Sequence, residues 1–349
     1  MTPSRLLKFL NNTIVIRHQT RFGCGPQLAG VRWLATLIFL WPLAAYAQSA
    51  PTLVKLATGS EVATWTIPAS GDKQHSTPIL FLHGGPGLYT EERRFDEGQP
   101  FRAAGFTTVY FDQAGGGKSA RLKAGEYTLD RAVEDIEALR VVLGQEQLIL
   151  WGNSYGASLA ALYANRFPEH VAAMILTSPG MFPGFSGKRD YSQTNRGEVE
   201  YSKEVRSAVQ LIDAKGAAAE AGLSQDLAGK YFDELVSTEL IDGIVCKGSS
   251  VKPPPLPGGG NLYAQREIFR DLKKLKFRPA TLTKFPVLPV LIVRGSCDFV
   301  PMDSAEHYKM ALGGEIIAIP DSGHGLLEHR DAVDIVFSRF AEGPLDKVR

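Results

Sequence analysis

Cysteine is scarce in this chain, with three residues in 349, at positions 24, 246 and 297. None belongs to a cluster of cysteine and histidine, which argues against a structural zinc site. Net charge is nearly absent as well: 38 Lys and Arg stand against 37 Asp and Glu, a formal charge of +1. With no basic run interleaved with aromatics, the electrostatic footprint of a nucleic-acid binder is missing. The longest apolar stretch, Trp33 to Ala45, falls short of the roughly 20 residues that span a bilayer. Arg32 precedes it and Ala45-Tyr46-Ala47 ends it. Small residues at those two alanine positions fit a secretory signal cleaved after Ala47 better than a membrane anchor. Residues 1–47 are therefore expected to be lost on export to the periplasm or medium, with no stable anchor afterwards. Cys246 and Cys297 would remain in an oxidising compartment, either as one disulfide or as two separate buried thiols.

What is present suits an enzyme with one large core: 44% of residues are hydrophobic and 21% charged,. The most informative stretch runs from Gln147 to Phe167. Leu148 to Trp151 form an apolar run fit for a strand covered on both faces, and Ala157, Ala160, Ala161 and Ala164 leave a helical stripe that packs closely,. Between them stands Gly152-Asn153-Ser154-Tyr155-Gly156. Glycines two positions either side of the serine remove the side chains that would collide with a tight strand-to-helix turn, the G-x-S-x-G nucleophile elbow.

Around this unit, strands alternate with helices. Thr52 to Pro68 reads as two strands joined at Gly59-Ser60, followed by strands at Pro78–Leu82, Phe106–Phe111 and Val171–Thr177, with a helix over Tyr127–Gly144 capped by Thr128,. The pattern breaks between Met181 and Phe285, where three helical stretches (Tyr201–Lys215, Leu227–Leu240, Leu262–Leu275) flank a Pro- and Gly-rich linker. It resumes with strands at Val287–Arg294 and Glu315–Ile319 and helices at Met302–Leu312 and Arg330–Glu342. This predicts a mostly parallel central sheet with helices on both faces, over residues 48–180 and 286–349, and an inserted helical cap over 181–285.

Strand ends carry the chemistry. Ser154, Asp298 and His324 each follow a predicted parallel strand, in the order nucleophile, acid, histidine, at the sheet edge where such groups collect. A serine hydroxyl needs a base within hydrogen-bond reach and a third group to fix that base's tautomer, and these three supply both. The Tyr155 N–H at the helix start and the Gly85 N–H in the loop His83-Gly84-Gly85-Pro86-Gly87, with Gly84 as fallback, are candidate donors to a developing oxyanion. His83 braces that loop in this reading. Asp303 and Asp321 are rival acids, and Asp321 lies too near His324 along the chain. His324 to His329 has one residue too many for a metal-binding H-x-x-E-H. Gly117-Lys118-Ser119 ends like a phosphate-binding loop, but Asp112 stands where that motif needs glycine, and a carboxylate there would repel phosphate. No cofactor is expected.

Together, the HGGPG element at His83–Gly87, the Asp112-Gln113 turn with Gly115, Gly117 and Ser119, the elbow, and the Asp298 and His324 segments resemble the proline iminopeptidase branch of the α/β-hydrolases. The resemblance implies the α/β-hydrolase fold, a Ser-Asp-His triad without metal, and release of N-terminal residues from short peptides whose free amino group is held by acidic cap residues. Three positions depart from it. Tyr155 replaces the usual tryptophan, Ala114 replaces an arginine, and no Trp-Glu pair is found in the cap, where Glu198, Glu200 and Glu204 read as a solvated face. An ester or lactone substrate, or a non-catalytic receptor of the same fold, are the alternatives.

Overall fold

The computed structural model describes residues 50–239, 241–275 and 288–348. The expected signal segment lies outside them, as does the predicted end of the cap from residue 276. Eight strands form one sheet in the order β1-β2-β4-β3-β5-β6-β7-β8. They are β1 (Thr52–Lys55), β2 (Glu61–Ile67), β3 (Ile79–Leu82), β4 (Thr108–Phe111), β5 (Leu148–Asn153), β6 (Val171–Thr177), β7 (Val290–Gly295) and β8 (Glu315–Ile319). β2 is antiparallel to both β1 and β4, and all later pairings are parallel. The apolar runs are thus explained: β3 to β7 are buried along their whole length because helices cover both faces,.

Alternate residues of each strand feed two cores. Leu80, Leu82, Val109 and Leu150 pack with α3 (Leu129–Val142), α4 (Tyr155–Arg166) and α8 (Met302–Leu312), through Ile136, Leu159 and Tyr308. Ile79, Phe81, Tyr110 and Trp151 pack on the other face with α2 (Gln99–Ala103) and α9 (Arg330–Glu342), through Phe101 and Phe337. Trp151 meets Phe81, Phe101 and Phe337 edge to face. Each such buried ring contributes about 2–3 kcal/mol by burial alone.

Between β6 and β7 come α5 (Lys203–Lys215), α6 (Gln225–Glu239) and α7 (Leu262–Lys274), which share a third core around Val205, Ile212, Phe232 and Tyr263. Side chains set the start of two helices, Thr128 as expected and Ser202 within its predicted stretch. Thr128 accepts the Arg131 N–H, so α3 starts at Leu129, and Ser202 accepts the Val205 N–H, so α5 starts at Lys203,. Two helices carry no signal in the apolar pattern. α1 (Arg93–Glu97) and α2 are short, charged and broken by Gly98 and Pro100.

Candidate active site

Ser154 stands between β5 and α4 with φ 53° and ψ −119°, a left-handed conformation that costs a non-glycine residue about 1–3 kcal/mol,. Close packing holds it there. A Cβ on Gly156 would lie 1.9 Å from the Leu82 carbonyl oxygen, and one on Gly152 would lie 2.5 Å from the Gly156 oxygen. The strained turn is further tied by hydrogen bonds from the Ser154 N–H to the Thr177 carbonyl and from the Gly180 N–H to the Ser154 carbonyl, at 3.1 and 2.9 Å. The hydroxyl is thereby exposed at the carboxyl end of the sheet.

Three residues distant in sequence meet at that point. Ser154 Oγ lies 3.0 Å from His324 Nε2, and His324 Nδ1 lies 2.8 Å from Asp298 Oδ1. A carboxylate can only accept, so the imidazole donates from Nδ1 and leaves Nε2 free to accept the serine proton. Asp298 Oδ1 also accepts the Val300 N–H at 2.9 Å, which fixes the carboxylate. The Phe299 ring packs 4.3 Å from the imidazole. The rival acids, Asp303 and Asp321, are solvent-exposed, as is His329.

The glycine loop lies against the same serine. A Cβ on Gly84 would come 3.1 Å from Ser154 Cβ, and Gly85, with φ 121°, has no room for one, since it would meet the Leu88 and Gly87 amides at 2.8 and 2.9 Å. Tyr155 is the first residue of α4, so its N–H has no acceptor within the helix,. Its phenol is fully buried and its pKa is raised by that burial. His83 braces the loop: its Nε2 accepts the Gln113 N–H at 2.9 Å, so the proton is on Nδ1, which donates to the Gly84 carbonyl at 2.8 Å. Burial holds this imidazole neutral, with a pKa lowered to about 4.

That neutrality has a measurable consequence. The unfolded chain takes up the His83 proton near pH 6.5 and the folded chain only near 4, so this group's contribution to stability falls as pH drops through that window,. At pH 4.5 the penalty is about 2.5 kcal/mol. Asp112, raised to about 6 by burial, has the opposite sign, but it is common to wild type and variant. His83→Gln is expected to cost about 1–2 kcal/mol at pH 7.5, and the gap should close or reverse at pH 4.5. Urea unfolding at the two pH values checks this; a gap independent of pH would contradict it.

The stretch that ends like a phosphate loop closes around the Asp112 carboxylate instead. Asp112 accepts the N–H groups of Thr90 and Lys118, each at 2.8 Å, and a Cβ on Gly117 would lie 2.2 Å from its Oδ2. A side chain already occupies the place a phosphate would need.

One group near the serine escaped the sequence reading. Arg94 and Glu97 are buried and pair at 2.6 Å, Arg94 Nη2 donates to Asn153 Oδ1 of the elbow at 2.9 Å, and Arg93 bridges Glu91 and Glu97 at 2.7 Å each. Burial opposes ionisation of Glu91 and Glu97, but the neighbouring arginines outweigh it and hold both below the usual carboxylate range. Asn153 in turn donates to the Thr177 carbonyl at 3.1 Å, so the network supports the nucleophile turn from beneath.

Residues 77–197 match the family model described as the alpha/beta hydrolase fold. Strands β3 to β6 and the elbow lie within this stretch. The chain has the α/β-hydrolase fold. This α/β-hydrolase is 37% identical over 105 residues to a proline iminopeptidase from Xylella fastidiosa, a match covering 29% of this chain and 32% of that protein. It is also 33% identical over 137 residues to a 1-acylglycerol-3-phosphate O-acyltransferase from Homo sapiens, covering 37% of each. The matched stretch thus spans about a third of the length of these curated relatives. Among solved structures, a proline iminopeptidase-related protein from Thermus thermophilus superposes with TM-score 0.55 at 22% identity, over 85% of this chain and 98% of that one. An esterase from Exiguobacterium antarcticum superposes with TM-score 0.54 at 17% identity, over 84% of this chain and 100% of that one. At such identities the superpositions establish the fold.

The α/β-hydrolase has two cavities that reach Ser154. One runs past His83, Glu91 and His324 under the inserted helices, walled by apolar residues such as Phe232 and Leu235, and the other runs past Tyr155, Phe182 and Leu272. Glu198, Glu200 and Glu204 are solvent-exposed and line neither. Among the described residues, no helix is long and apolar enough to cross a membrane.

Proposed function

We propose that this α/β-hydrolase cleaves the amide bond after the N-terminal residue of short peptides, in the manner of a proline iminopeptidase, through an acyl-enzyme on Ser154. One observation carries the chemistry: a serine in a strained turn, 3.0 Å from an imidazole that is itself 2.8 Å from a buried carboxylate. Ser154 Oγ attacks the carbonyl carbon as its proton passes to His324 Nε2, and Asp298 stabilises the imidazolium. The oxyanion takes hydrogen bonds from the Gly85 and Tyr155 N–H groups, with the positive end of α4 behind the second. His324 then protonates the departing amine, and water, deprotonated by the same imidazole, releases the acyl group. The peptide preference draws its support from the partial sequence match to proline iminopeptidases.

A second reading, hydrolysis of a small ester, is favoured by the walls of the cavity that passes His83 and Glu91. Among its described lining residues Glu91 is the one carboxylate, and Arg93 occupies it with hydrogen bonds of 2.7 and 3.2 Å. That leaves little to hold a free ammonium group. Residues 48–180 and 286–349 form the catalytic core and 181–285 the cap in this proposal, and the enzyme acts after export. The Cys246–Cys297 disulfide supports the last point, since such bonds persist in oxidising compartments,. Labelling by a fluorophosphonate tests the acyl-enzyme chemistry, because a receptor with an unactivated serine stays unlabelled. Comparing proline arylamide with short-chain nitrophenyl esters then separates the peptidase from the esterase; turnover of the ester alone would overturn the peptidase assignment.

A further inference from the structure

Among the described residues, Arg93 and Arg94 on the walls of these two cavities have acidic partners, and Arg189 has none. Arg93 and Arg94 are paired with Glu91 and Glu97. Arg189 makes neither an ion pair nor a hydrogen bond among the described residues; its guanidinium lies over the Phe299 ring, 5.7 Å from the centroid. Phe299 is the residue that packs on His324, so this cation is one ring removed from the imidazole. It lines both cavities that reach Ser154. The adjacent Asp190 gives it no compensation, because that carboxylate turns to the Ser192 N–H at 2.9 Å.

The uncompensated charge on the described walls of both cavities is positive. The described lining of the first cavity carries Glu91 against Arg93, Arg94 and Arg189. That of the second carries Arg189 and Lys273 and no acidic residue. A concave, largely apolar wall focuses such a field, so a carboxylate is drawn in. Stacking on Phe299 orders the guanidinium in advance, and its planar fork matches a carboxylate with two parallel hydrogen bonds.

We propose that Arg189 recognises a carboxylate carried by the substrate and that the enzyme selects acid-bearing substrates through it. This rests on the reading of Ser154 as nucleophile. The carboxylate has two possible sources: the C-terminus of a very short peptide, on the leaving side, or the far end of a dicarboxylic half-ester, on the acyl side. Two substrate pairs distinguish them, prolyl-alanine against prolyl-alaninamide, and 4-nitrophenyl hemisuccinate against 4-nitrophenyl butyrate.

In the wild type, kcat/KM for the charged member of one pair is expected to exceed its neutral partner by about tenfold, the worth of one charge-assisted hydrogen-bonded pair. In Arg189→Gln that ratio falls toward one, Arg189→Lys retains part of it, and raising the salt to 1 M shrinks it. The ratio within one protein is insensitive to partial misfolding. Calorimetric titration of Ser154→Ala, with and without Arg189→Gln, repeats the comparison without turnover. A ratio unchanged by Arg189→Gln, or no charge preference in either pair by rate or by heat, overturns the proposal. Failure of fluorophosphonate labelling would instead strike the acyl-enzyme reading, and the calorimetry would still decide Arg189.

Discussion

Ser154→Ala is expected to lower kcat by about 10⁴-fold or more while leaving the far-ultraviolet circular dichroism and urea midpoint close to wild type. The size follows from the division of labour at the site. Without Oγ no acyl-enzyme forms, and the oxyanion donors and cavity walls alone give only the residual acceleration that binding and electrostatics supply. His324→Ala should match it, since an unassisted hydroxyl is a poor nucleophile near neutral pH. Because the two act on one proton transfer, the double variant should be no slower than either single one. Asp298→Asn is expected to keep the fold and lose most of kcat, since the amide, able to donate as well as accept, no longer enforces the imidazole tautomer seen at 2.8 Å,. Multiplicative losses in the double variant would mean that the residues do not work as one unit.

Removing the disulfide should produce the largest change in stability. Cys246 and Cys297 are joined across 51 residues, and closing a loop of that length removes unfolded-chain entropy worth about 4 kcal/mol. The bond also matters for geometry. Cys297 immediately precedes Asp298, and the segment bearing Cys246 grips the histidine loop: the Gly325 N–H donates to the Ile244 carbonyl at 2.8 Å. Glu328 completes the clamp, with Oε1 accepting the Cys246 N–H at 2.7 Å and Oε2 accepting the Gly323 N–H at 3.1 Å. The double variant Cys246→Ser with Cys297→Ser, or wild type treated with a dithiol reductant, is therefore expected to show a lower urea midpoint and a reduced kcat at unchanged protein concentration. Unfolding curves that coincide with and without reductant would show that the crosslink adds nothing to the fold.

Some of this site was readable in one dimension because the chemistry imposes local spacing. Gly152 and Gly156 must flank Ser154 for steric reasons that no distant residue can relieve, and the apolar runs before Ser154 and Asp298 mark strands whose ends face one edge. Glu91, Arg93, Arg94 and Glu97 show the opposite case. Sequence statistics place such residues in solvent, yet Arg94 and Glu97 are buried and Glu91 and Arg93 half-buried, because each compensates the next and Asn153 accepts from Arg94,. The disulfide belongs between these extremes, since the two cysteines were legible and their pairing was not. Cys246 and Cys297 lie in different parts of the chain, and only the folding of the inserted segment onto the β7 loop brings their Cα atoms to 5.4 Å.

By itself, then, the sequence determined the elbow, the parallel strands and the serine, aspartate and histidine that follow their ends, since each follows from sterics or periodicity within a few residues. The tertiary structure alone decided the convergence of Ser154, Asp298 and His324, the buried Arg94 beneath the elbow, and a cation, Arg189, without an acidic partner among the described residues where two cavities meet. Those depend on distances between segments that are remote along the chain, which local pattern does not encode.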